Sequence, residues 1–69
     1  MRSSETSYFL AFCVEQYKHA HGMSGEEAMQ RLDRYGVLDY LAKNYDVLHT
    51  QGASWIVADI DEYINNRKS

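Results

Sequence analysis

Residues 44–52 read NYDVLHTQG and place Asp46 three residues and Tyr45 four residues before His49. On a helix both side chains fall within reach of the imidazole. A carboxylate that fixes the ring tautomer makes histidine a general base or a metal ligand. The same spacing also suits a boundary histidine, its ring packed on Leu38 and Tyr45 and its nitrogens satisfied by Asp46, a hydroxyl or water. A nucleophilic triad needs a further partner, and the single Cys13 sits in an apolar run, where a buried thiol is inert. The packing reading is therefore preferred, no catalytic residue is assigned, and the chain is expected not to be an enzyme.

The other polar groups carry less. His19 and His21 sit two residues apart with Lys18, and a favourable interaction with a helix C-terminus accounts for all three. No CxxC or HxxxH pair offers zinc its closely spaced ligands, so neither metal nor cofactor is expected. Asp59, Asp61 and Glu62 read as the solvated side of a helix. Such an acidic face, with Trp55 beside it, can still meet a complementary partner, which makes Trp55, Asp59 and Glu62 a candidate interaction surface.

These residues are positioned by helices. Proline is absent, and Gly22, Gly25, Gly36 and Gly52 divide the chain into apolar-periodic segments of helical length. The first, from about Ser4 to Ala20, starts at a Ser or Thr cap and carries Phe9, Phe12, Cys13 and Tyr17, with Leu10 and Val14 at the side. Its apolar arc covers about 200°, against the roughly 100° of an ordinary surface helix, so it should be central or covered on two sides. Ser24-Gly25-Glu26-Glu27 matches a capping box and opens the second segment, with Ala28, Met29, Leu32 and Tyr35 inward, Arg31 and Arg34 outward, and Gly36 as a left-handed cap.

The third segment is predicted as one helix from Val37 to about Thr50. Val37, Leu38, Leu41, Ala42, Tyr45, Leu48 and His49 face inward, and Asp39, Lys43, Asp46 and Thr50 face outward. After Gly52, Ser54 can cap a fourth helix bearing Ile56, Val57, Ile60, Tyr63 and Ile64. SWIVADI has strand-forming residues, but the spacing of Ile56, Ile60 and Ile64 is helical and nothing else offers a pairing strand. The expected fold is all-α, a small bundle of about four short helices forming one domain over residues 1–69.

With 69 residues, the chain lies near the lower size limit for a self-sufficient core, and oligomerisation is expected. Seven Lys and Arg against ten Asp and Glu give a net charge of −3, which disfavours nucleic acid. A helix-turn-helix is conceivable around Gly36, but its second helix would expose Asp39, Lys43 and Asp46, a poor set for phosphate or base contacts. No apolar run approaches the roughly 20 residues of a membrane span, and the opening residues show no charged and apolar leader pattern, so no secretory leader is expected. A cytoplasmic location is expected.

Four stretches, FLAFCVEQYKHAHGMSGEEA, RYGVLDYL, YDVLHT and IVADIDEYI, resemble in order and spacing the bacterial family of small proteins termed domain of unknown function 3791. The likeness covers nearly the whole chain. It implies a short helical domain and carries over no catalytic residue. Such families are often encoded beside other small genes, including proteins similar to ADP-ribosyltransferases, and the resemblance thus implies a toxin-neutralising or regulatory partner. The expected role is a protein interaction module, bound to another protein or to itself. The alternatives are a small enzyme or ligand-binding protein using His49, Asp46 and Tyr45, and a DNA-binding regulator.

Overall fold

The computed structural model describes the backbone of residues 2–68 and the side chains of residues 5–68. Its helices are α1 (Arg2–His21), α2 (Gly25–Arg34), α3 (Val37–Lys43), α4 (Tyr45–Leu48) and α5 (Ala53–Lys68). Among the described residues there is no strand, and SWIVADI lies in α5.

The core follows from one spacing repeated in successive helices. Phe9, Cys13 and Tyr17 are buried from α1, Ala28 and Leu32 from α2, Val37 and Leu41 from α3, Leu48 from α4, and Ile56, Ile60 and Ile64 from α5. Residues four apart form a ridge along a helix, and such ridges fit into the grooves between those of a neighbour. α1 packs against α2, α3 and α5 and is the central helix its wide apolar arc predicts. Phe12 and Met29, assigned to the interior from periodicity, are instead exposed. Each stands beside the buried ridge of its helix rather than on it.

The turns obey local chemistry. α1 ends in a Schellman motif: Gly22 is left-handed at φ 60°, and the Met23 amide donates to the Lys18 carbonyl at 3.1 Å. The capping box at Ser24 is complete, the Glu27 amide donating to Ser24 Oγ at 3.1 Å and the Ser24 amide to Glu27 Oε1 at 3.0 Å. Gly36, at φ 70°, closes α2 and opens α3.

Three expected boundaries are corrected. α1 begins at Arg2, so Ser4 lies inside the helix rather than at its cap, and its side chain lies outside the described residues. α5 begins at Ala53, with the Gly52 carbonyl accepting from the Ile56 amide at 3.0 Å, so Ser54 sits in the first turn and is not the cap. The helix expected from Val37 to Thr50 is two helices broken at Asn44, whose backbone departs to φ −109°, ψ 22°. There Asn44 Nδ2 donates to the Tyr40 carbonyl at 2.8 Å. An asparagine side chain that bonds nearby backbone competes with helical continuation. Beyond the break the chain changes direction, and Tyr45 meets Phe9 of α1.

Candidate functional site

That redirection builds an aromatic groove. Glu5, Tyr8, Phe9 and Phe12 are spaced i, i+3, i+4 and i+7 on α1, which puts them along one side of the helix. Tyr45 and His49 approach from α4 and its C-cap, and together these residues line an open groove of about 450 Å³. Buried Phe9 and Ile56 form its base, while Tyr8 is 80% and Phe12 42% exposed. Each of these exposed rings leaves apolar area in water that a partner surface could cover.

Tyr45 is fixed from two directions. Phe9 meets its ring edge-on with centroids 5.4 Å apart and planes at 79°, and His49 stacks on it at 4.4 Å with planes at 9°. His49 Nδ1 lies 2.6 Å from the Tyr45 carbonyl oxygen. A carbonyl only accepts, so Nδ1 carries the proton and, in the neutral ring, Nε2 is the basic nitrogen.

This geometry revises the reading of His49. Its Nδ1 is held by a backbone carbonyl, a partner not among the Asp46, hydroxyl or water expected, and its ring is exposed, where an inward position was expected. Asp46 is exposed. Leu38 does not line this groove; it lines a separate groove with Leu10, Val14 and Met29, beyond the buried ridge of α1. Tyr45 and His49 are thus brought together, and the partners that surround them are the rings of α1.

The proposed acidic surface divides. Trp55 is 48% exposed, and Glu62 is exposed. Asp59 turns inward to accept a hydrogen bond from the Tyr40 hydroxyl at 2.7 Å. Burial first, and then this carboxylate, push the Tyr40 hydroxyl up to about 12. Tyr40 also stacks on Tyr63 at 4.2 Å, and the Arg67 guanidinium lies 5.2 Å over the Tyr63 ring. Asp61 is likewise engaged, its Oδ1 lying 2.8 Å from His21 Nε2. The ring of His21 rests on Tyr17 at 4.3 Å, so His21 does more than complement the end of α1. His19 pairs with Glu15 at 2.8 Å.

Cys13 is fully buried, and burial pushes its thiol up to about 12, far from a nucleophile's range. Among the described residues no three His, Cys, Asp or Glu side chains are grouped to hold a metal ion. Nor is any described helix long and apolar enough to cross a membrane.

Periodicity did not reveal Glu5 and Tyr8 as groove residues. Their signal was present in the i, i+3, i+4, i+7 spacing with Phe9 and Phe12, but an aromatic stripe usually marks a core. What overrides that default is that none of the described helices is laid over it.

The fold and groove define a small all-helical domain with an open aromatic surface. The chain belongs to the family described as Protein of unknown function (DUF3791), which it matches over residues 8–67. No curated protein and no solved structure matches it.

Proposed function

We propose that this chain is a protein interaction module that acts by binding rather than by catalysis, with the aromatic groove as its docking surface. The observation that carries this reading is the exposure of Tyr8 and Phe12 beside a groove based on Phe9 and Ile56. Aromatic side chains are enriched at the centres of protein interfaces, where they supply large contact area with few rotatable bonds. The finer reading is a regulatory or neutralising partner of a neighbouring gene product, supported by the family resemblance alone.

The test is the mass of the complex purified natively from the host, with wild type and with Tyr8→Ser/Phe12→Ser. A stoichiometric protein partner is expected with wild type and should be lost with the double variant. Recovery of the chain alone, or a complex indifferent to both substitutions, overturns the proposal. For the neutralising role, co-expression should restore growth to cells producing the neighbouring toxin, and failure to restore it removes that role.

Self-association is a second reading, favoured by the groove lined by Leu10, Ala11, Val14, Met29 and Leu38, which carries no charged side chain. Sedimentation should then show dimers that Met29→Glu dissociates. A wild-type monomer at high concentration excludes it.

A further inference from the structure

We infer that the aromatic groove receives an arginine side chain of the partner protein. The inference rests on the docking role proposed above and adds the chemistry of the occupant.

Among the described residues, the lining contains the rings of Tyr8, Phe9, Phe12 and Tyr45, the imidazole of His49, and one carboxylate, Glu5, with no lysine or arginine. Ring faces present negative potential, so cations are held over them, and Glu5 supplies a full negative charge on the same side of α1 as Tyr8, Phe9 and Phe12. The whole chain adds to this with its net charge of −3. A purely apolar occupant would make no use of the Glu5 carboxylate, whereas a cation is drawn to it and to the ring faces together.

Guanidinium fits this combination better than ammonium. It is planar and weakly hydrated, so it stacks on a ring while its fork of N–H groups donates to a carboxylate. One face of Tyr45 is already taken by His49, which leaves the exposed rings of Tyr8 and Phe12 as the stacking surfaces. The groove on the other side of α1's buried ridge provides a contrast within the molecule. It is lined by Leu10, Val14, Met29 and Leu38 with neither a ring nor a carboxylate, and offers a cation nothing.

The experiment is a proton NMR titration of the full chain with N-acetyl-arginine amide, N-acetyl-citrulline amide, N-acetyl-leucine amide and tetramethylammonium chloride. Arginine amide should shift the ring resonances of Tyr8, Phe12 and Tyr45 saturably. Citrulline amide, which keeps the shape without the charge, should bind at least about tenfold more weakly, a difference of about 1.4 kcal/mol. Glu5→Gln, with an unchanged helical spectrum, should weaken arginine amide by a similar factor, and Phe12→Leu should also weaken it. Equal shifts with citrulline or leucine amide, equal affinity for tetramethylammonium, or no shift with arginine amide overturns the inference. If Tyr8→Ser/Phe12→Ser still abolishes the native complex in that event, the docking role stands and only the arginine occupant is lost.

Discussion

The Tyr40 hydroxyl donates to Asp59 Oδ2 at 2.7 Å, joining α3 to α5 across 19 residues of sequence. Hydrogen bonds to charged groups contribute roughly 1.5–3 kcal/mol, and partial solvent contact places this one at the low end. Tyr40→Phe keeps the ring stacked on Tyr63 and removes only the donor. It should cost about 1–2 kcal/mol in urea unfolding. A loss below about 0.5 kcal/mol, the ordinary scatter of surface substitutions, would show that the bond adds nothing to stability.

The same hydroxyl sets an alkaline limit. Its ordinary value is 10.0 and the fold raises it to about 12. Below pH 10 both folded and unfolded chains hold the proton. Between 10 and 12 the unfolded chain releases it while the folded chain keeps it, so stability falls as pH rises. Cys13, raised from 9.0 to about 12, acts in the same direction and from a lower pH. Wild type should therefore lose stability from pH 9 to 12, and Tyr40→Phe should flatten the upper part of that decline. Parallel curves for the two proteins would assign the decline to other groups.

Cys13 should be unreactive in the native state, because the attacking species is the thiolate and this thiol is both buried and held protonated. Labelling with a thiol reagent at pH 8 should become rapid only in denaturant, following the unfolding transition. Fast labelling of the native protein would contradict the packing of α1. Cys13→Ser should be less stable than Cys13→Ala, since it sets a hydroxyl among apolar neighbours.

His49→Gln should change stability by no more than about 0.5 kcal/mol, because the ring is exposed and glutamine retains a donor for the Tyr45 carbonyl. Thermal melting decides this. A loss of several degrees would place His49 in the core, as its position on the helical projection had indicated.

How far the sequence reaches is visible in these residues. Every buried residue among the described ones lies on a ridge that periodicity identifies, since burial of a helix face is encoded by spacing alone. Gly36 and the Ser24 capping box were legible because cap chemistry is local. The break at Asn44 was not, because the apolar period runs through it and the deciding bond is a side chain returning to the Tyr40 carbonyl. Tyr40 with Asp59, and His21 with Asp61, join residues 19 and 40 positions apart, a relationship that no local pattern carries. The groove was half legible: its α1 residues lie on one stripe, but only the packed arrangement shows that none of the described elements covers them.

Two glycines to alanine should have opposite effects, for reasons of backbone alone. Gly36 has φ +70°, and an added Cβ would meet Arg67 Nη2 at 3.9 Å, an ordinary contact. The penalty is thus the left-handed conformation itself, about 1–2 kcal/mol for a residue with a Cβ. Gly25 begins α2, its φ is not in that region, and its Cβ would meet only Lys18 Cδ at 3.8 Å. There alanine removes freedom from the unfolded chain and should add about 0.4–1 kcal/mol. Chemical denaturation of both variants checks the pair. If Gly36→Ala proved neutral, the left-handed conformation at this turn would carry no penalty in the folded chain, and the backbone account of Gly36 would fall.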